Sequence, residues 1–216
     1  MTKLSPAIIR SNEQIAPGAY ILAFEREFEF IPGQVIGLTH DVDVEPRLYS
    51  IASGNEHPQV HILYTVKPDG FLTPGLAAMK PGKKVFYTLP FGKFTGNEKP
   101  AVWIATGTGI APFASMMFSG LAVNKTLIYG HRYPERLFFH RQIRDIIGDR
   151  YVPCCTRKKV EGIFYGRVTD YIRSQDTLDP TIPYYLCGNS EMVVDMRDLL
   201  IEKGIPYEKI IAEIFF

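Results

Sequence analysis

Hydrophobic and polar positions change rhythm once along this chain. Up to about residue 97 the apolar stretches are short, and each is stopped by a turn. Candidate strands lie at 7–11, 19–26, 34–39, 48–53, 59–66 and 84–89. Pro17-Gly18, Pro32-Gly33, Gly54-Asn55, Pro68-Asp69-Gly70 and Pro81-Gly82 separate them. Such even spacing predicts a small antiparallel β-barrel, interrupted by one short helix over 72–79. After Lys99-Pro100, buried strands alternate with helices. Strands are expected at 101–105, 126–129, 151–155 and 183–187, and helices from 111, near 138–147, near 166–174 and over 191–203. That is the βαβ rhythm of a parallel sheet. The fold class expected is therefore β plus α/β, with an N-terminal barrel domain over 1–97 and an α/β domain over 98–216.

The change of rhythm centres on AVWIATGTGIAPFASMM, residues 101–117. Five apolar residues read as a buried strand, Thr106-Gly107-Thr108-Gly109 as a turn, and Ile110-Ala111-Pro112 as the opening of a helix. Proline suits a first helical turn, where its missing N–H leaves nothing unpaired. Loop amides and a helix N-terminus favour an anion such as a dinucleotide pyrophosphate. The pattern is not G-x-G-x-x-G, because Pro112 stands at the third glycine position. An ordinary strand–turn–helix explains this stretch equally well.

Charge changes the picture in one place. The formal net charge is +1 over 216 residues, which gives no bulk attraction to nucleic acid or membrane. Between Arg132 and Arg167, however, nine basic side chains face four acidic ones, suiting a solvated face or a phosphate or acidic partner. Cys154, Cys155 and Cys187 make no disulfide framework, and no C-x-x-C suggests a zinc or iron–sulfur site. No apolar run nears a membrane span, and the first twenty residues lack a signal-peptide core, so a reduced cytoplasm is the expected location.

Several short motifs carry candidate chemistry. Arg47-Leu48-Tyr49-Ser50 sets a guanidinium, a phenol and a hydroxyl at a strand start, suited to a phosphate, an aromatic ring and a ring nitrogen. Taken alone it is also a plain strand, with Arg47 and Tyr49 expected on one side and Leu48 and Ser50 on the other. Gly70-Phe71-Leu72-Thr73 offers a second phosphate seat at a helix start, or a helix capped by Thr73. Tyr129-Gly130-His131-Arg132 ends a strand where an Arg suits a 2′-phosphate, and Arg157 and Arg167 would complete a cationic cluster. Cys187-Gly188-Asn189 ends another strand, where ligands of open α/β sheets collect.

Read together and in order, RLYS, PDGFLT, GTGIAP, YGHR, TRKK…GR and LCGNSEMV resemble the ferredoxin–NADP⁺ reductase family across nearly the whole chain. The ending Ala212-Glu213-Ile214-Phe215-Phe216 is similar to the Glu-x-aromatic-aromatic terminus of bacterial members. The resemblance implies a flavin-binding barrel followed by an NADP-binding α/β domain. Arg47 would hold the flavin pyrophosphate, Tyr49 would pack on the isoalloxazine, and Ser50 would hydrogen-bond near N5, with Leu48 beside them. Leu63, Tyr64, Thr65 and Val66 would line the flavin, and Phe71, Leu72 and Thr73 would meet its phosphates. Thr108 would sit between flavin and nicotinamide, within an NADP-binding turn of Gly107, Thr108 and Gly109. Arg132, Arg157 and Arg167 would hold the 2′-phosphate. Cys187 would stand beside the nicotinamide, with Gly188 and Met192 among the NADP-binding residues, and Glu213 and Phe215 would close the far side.

The function implied is that of a cytoplasmic flavoprotein oxidoreductase exchanging electrons between NADPH and ferredoxin or flavodoxin. Ser50, Cys187 and Glu213 would tune the hydride step in a monomer that meets an acidic carrier. The alternatives are a free-flavin reductase and an electron-transfer subunit of an oxygenase. FAD is the expected flavin, with FMN the alternative because the chain is short and no adenine-binding loop is evident. Phe216 could stack on an adenine.

Overall fold

The computed structural model describes residues 3–215, except for the side chain of Phe215. The described chain divides into two compact units, residues 1–96 with 111–119, and residues 97–110 with 120–216.

The first unit is an antiparallel sheet of β1 (Ser5–Ala16), β2 (Ala19–Glu25), β3 (Val35–Thr39), β4 (Arg47–Ser50), β5 (Gln59–Thr65) and β6 (Lys84–Tyr87), with α1 (Leu72–Ala78) between the last two. Strand order is β4-β3-β6-β1-β2-β5, and an Ile51–Ile62 bridge joins its two ends into the expected barrel. Ile9, Leu22, Phe24, Ile36, Leu38 and Ile62 are among the side chains that fill the core. The sheet begins earlier than the pattern suggests. Strand β1 runs on through polar Asn12, Glu13 and Gln14, because β2 pairs with it across two register shifts. Asn12 also has work of its own. Its amide donates to the carbonyls of Leu76 (2.8 Å) and Met79 (3.0 Å), while its oxygen accepts from the Tyr64 hydroxyl (2.9 Å). One side chain thus adds a second donor to the Leu76 carbonyl, which also accepts from Met79 N–H (3.0 Å), and supplies a donor to the Met79 carbonyl just past the end of α1.

The helix that follows the glycine turn belongs by its contacts to this first unit. In α2 (Ala111–Phe118) every residue from Ala111 to Met117 is buried. The Ser115 hydroxyl donates to the Ser53 carbonyl (2.8 Å), and Asn55 N–H donates to Ser119 Oγ (3.0 Å). A Cβ on Gly54 would collide with the Phe118 carbonyl, so Gly54 is small because a helix end lies against it.

The second unit is a parallel sheet of β7 (Ala101–Thr106), β8 (Lys125–His131), β9 (Tyr151–Cys155), β10 (Phe164–Tyr165), β11 (Tyr184–Asn189) and β12 (Ile210–Phe215), in the order β10-β9-β8-β7-β11-β12. Its helices are α3 (His140–Ile147), α4 (Val168–Arg173) and α5 (Ser190–Glu202). The chain leaves β7 towards β8 on one side and returns to β11 on the other. A topological switch point therefore lies at the carboxyl ends of β7 and β11, where ligands of open α/β sheets bind.

Candidate functional site

In the first unit β4, which carries Arg47 to Ser50, is the end of the sheet that closes towards β5, which carries Leu63 to Thr65. Among the described residues strand β4 pairs with β3 alone, and the chain beyond it bridges to β5. Arg47 and Leu48 are exposed, Tyr49 is half-buried against the core and Ser50 is buried. Burial thus deepens along the strand instead of alternating, because its far end enters the closing seam. Burial pushes the Tyr49 phenol up to about 12 against the opposing pull of Arg47, so it is neutral. Of the β5 group, Leu63 and Tyr64 are buried, and the Tyr64 phenol is committed to Asn12. Thr65 ends β5, and Val66 just after it packs against the core of the first unit. Thr73 does not cap α1; its oxygen accepts from Lys67 N–H (2.9 Å), leaving its own proton to donate. Leu72 is buried, whereas Phe71 is 78% exposed. On β4, a guanidinium without an ion pair among the described residues and a neutral phenol suit a ligand with a phosphate and a flat ring, and the Thr73 hydroxyl donor and exposed Phe71 at the start of α1 are groups of the same kind.

In the second unit the glycine turn is a 3-10 turn, Gly107–Ile110, at the switch point. Gly107 has φ +56° and open space where a Cβ would stand. Gly109 is the opposite case, since a Cβ there would collide with the Cys187 carbonyl of β11. Across the same edge, a Cβ on Gly188 would overlap Thr106 Oγ1 and come within 2.8 Å of Met192 Cε. Thr106 Oγ1 is buried with no hydrogen-bond partner among the described residues. Bare backbone beside an unsatisfied hydroxyl is a cradle that fits a nucleotide. Asn189 caps α5 by accepting from Met192 N–H (2.9 Å).

Arg132, Arg157 and Arg167 follow the carboxyl ends of three neighbouring strands, β8, β9 and β10. All three are exposed, and none forms an ion pair among the described residues. Their backbones are tied together: Arg157 N–H donates to the Arg132 carbonyl (2.9 Å), and Gly166 N–H donates to the Cys155 carbonyl (2.9 Å). Beside them, burial holds His131 down at about 4, with Arg136 and Arg132 adding to the effect, so it is a neutral ring. Its Nδ1 accepts from Arg132 N–H (2.8 Å). Cys187 is fully buried, and burial, with Glu213 adding, raises its thiol well above the ordinary value. It is a neutral thiol rather than a nucleophile. Glu213 faces it on β12, Phe215 ends that strand, and Phe216 lies outside the described residues.

The chain matches the family model described as "Oxidoreductase NAD-binding domain" over residues 103–198. It is 30% identical over 193 residues to the flavodoxin/ferredoxin–NADP reductase of Escherichia coli, covering 78% of this chain and 77% of that one. The chain belongs to the ferredoxin–NADP reductase family. The family likeness extends to a propane 2-monooxygenase reductase component of Rhodococcus jostii, 27% identical over 87% of this chain, of which this chain spans only 56%. The fold of this ferredoxin–NADP reductase relative matches a ferredoxin NADP⁺ reductase from Neisseria gonorrhoeae, solved with bound FAD and NADP. The TM-score is 0.88 at 22% identity, and each chain is covered completely. No helix among the described residues is long and apolar enough to cross a membrane.

Tyr129 is the residue whose part the sequence left unassigned. Its motif drew attention to Arg132, but its hydroxyl lies beneath the glycine turn, a placement that only the assembled sheet reveals.

Proposed function

We propose that the protein is an NADP(H)-dependent flavoenzyme that passes electrons between the nicotinamide and a one-electron carrier, ferredoxin or flavodoxin. The observation that carries this reading is the row of arginines 132, 157 and 167, without ion pairs among the described residues, on the same sheet edge as the Gly107–Ile110 turn. Such a row suits the extra phosphate of NADP(H), and the turn suits the pyrophosphate that NADH and NADPH share.

In this reading residues 1–97 form the flavin domain and 98–216 the NADP domain. Arg47 binds the flavin phosphates with Phe71, Leu72 and Thr73. Tyr49 covers the ring with Leu48 beside it, Ser50 meets the ring near N5, and Leu63, Tyr64, Thr65 and Val66 line it. The flavin, when bound, accepts a hydride and releases single electrons. Thr108 and Gly109 orient the nicotinamide half with Gly188 and Met192. Cys187, a neutral thiol, packs there without giving up its proton, and Glu213 and Phe215 cover the far side. FAD in the Neisseria structure supports FAD as the flavin. Exposed Lys80, Lys83, Lys84 and Lys93 would steer an acidic carrier to a cytoplasmic monomer. Similarity to the Rhodococcus reductase component, and to a Pseudomonas putida toluate 1,2-dioxygenase electron transfer component, supports an oxygenase as a second destination for the electrons.

The test is an anaerobic visible spectrum before and after NADPH, with NADH in parallel, on the wild type and on Arg132→Ala. A yellow protein bleached faster by NADPH than by NADH is expected. Arg132→Ala should lose about tenfold to a hundredfold with NADPH and little with NADH, the loss of a charge-assisted contact. A colourless protein, or equal bleaching by both nucleotides, would overturn the flavin or the 2′-phosphate assignment respectively.

A further inference from the structure

Tyr129 lies on β8, is completely buried, and uses its hydroxyl in both directions. The hydroxyl donates to the Gly107 carbonyl (3.0 Å) and accepts from Phe138 N–H (3.3 Å). Burial raises the phenol well above its ordinary value, so it remains a donor throughout the accessible pH range.

Each bond fixes something at the sheet edge. A peptide is planar and trans, so its carbonyl and the N–H that follows point in opposite directions. With the Gly107 carbonyl turned in to the buried phenol, the Thr108 N–H is turned away from it. Gly107 reaches this geometry at φ +56°, where a side chain would be strained. On the other side, Phe138 precedes Phe139, which holds a left-handed φ of +58° that a bulky residue rarely adopts. The Phe138 ring meets the His131 ring edge-on at 5.8 Å, and His131 Nδ1 accepts from Arg132 N–H. One phenol is therefore the common support of the glycine turn and, through Phe138 and His131, of the Arg132 backbone.

We infer that Tyr129 is a positioning residue that couples the glycine turn to the Arg132 loop, so that the pyrophosphate and the 2′-phosphate of one NADP(H) molecule are gripped together. This rests on the proposed NADP(H) reading. Tyr129 touches no ligand itself; it acts through Gly107 and Arg132.

Tyr129→Phe keeps the ring and removes only the hydroxyl. NADP⁺ binding, measured by calorimetry, should weaken about fivefold to twentyfold, the effect of one lost buried hydrogen-bonding group. KM for NADPH should rise in parallel while kcat and the flavin spectrum hold. In an Arg132→Ala background the same substitution should have a smaller effect, because the coupled partner is already gone. His131→Phe, which keeps an aromatic ring against Phe138 but removes the acceptor for Arg132 N–H, should weaken NADP⁺ and spare NAD⁺. The coupling is overturned if Tyr129→Phe lowers the melting temperature with NADP⁺ affinity unchanged, or if its effect is fully additive with Arg132→Ala. It is equally overturned if His131→Phe leaves NADP⁺ affinity intact. Failure of the unsubstituted protein to bind NADP⁺ would instead sink the reductase reading, and this role with it.

Discussion

Cys187 on β11 stands opposite Glu213 on β12, in register across the last parallel pair of the sheet. Desolvation first, and the Glu213 charge second, hold the thiol in its protonated form. Replacing Glu213 with Gln removes the second cause and leaves the first. The Cys187 thiol should then ionise at lower pH than in the wild type, yet still above the ordinary cysteine value, as followed by ultraviolet thiolate absorbance. Unchanged ionisation in Glu213→Gln would mean that the carboxylate does not act on the sulfur.

Burial lowers three histidines, His61, His131 and His140, and the first two should contribute most to destabilising the fold in acid. Burial lowers both His61 and His131 from 6.5 to about 4, with His57 assisting in the first case and Arg136 and Arg132 in the second. A histidine depressed in the folded state is neutral there, whereas the unfolded chain takes up its proton below 6.5. The stability it contributes is present above 6.5 and lost as pH falls from 6.5 towards 4. Urea midpoints should therefore drop across that window, and His61→Asn should flatten the drop by about one proton of pH dependence. Parallel pH curves for wild type and variant would contradict the assignment.

The two glycines of the turn should fail in different ways. Gly109→Ala drives a methyl into the Cys187 carbonyl, so one strand end or the turn must move. A loss of about 1–3 kcal/mol in unfolding free energy is expected, read by chemical denaturation. Gly107→Ala meets open space, and only its left-handed φ opposes it, at about 1 kcal/mol. That protein should fold, with NADP⁺ affinity reduced because relaxing φ turns the Gly107 carbonyl off the Tyr129 hydroxyl. Equal stability losses in the two variants would refute the contrast.

What was legible in the sequence were features that depend on near neighbours. Residues 151–155 read as a strand because apolar residues run between turns, and β9 has those bounds. The barrel and the parallel sheet followed from turn spacing and the change of rhythm at Pro100. What the sequence hid depends on distant partners. Strand β10 is two residues long and exists because β9 offers an edge. The ending at 210–215 carries no turn or alternation to mark it, yet it pairs with the whole of β11. Strand β1 crosses Asn12 because that amide serves a helix end more than sixty residues away. The arginines were legible as charge, but their alignment along three strand ends required the strand order.

Lys125 tests how the second unit holds its own first residues. The side chain is 1% exposed, and no carboxylate bonds to its ammonium among the described residues. Instead Nζ donates to the carbonyls of Lys99 (2.6 Å) and Asn97 (2.9 Å), and it lies 5.5 Å from the centre of the Trp103 ring. An ammonium has three donors and no acceptor, so it suits a cluster of carbonyls that no backbone N–H reaches. Lys125→Met keeps the length and apolar stem but strands those carbonyls away from water, and about 1–3 kcal/mol of stability should be lost. Trp103, the single tryptophan of the chain and fully buried, reports the transition by its fluorescence. Because the interaction is enclosed, added salt should leave the difference between wild type and variant nearly unchanged. A difference that vanishes at high salt would place the ammonium in solvent and remove its role in anchoring residues 97–99.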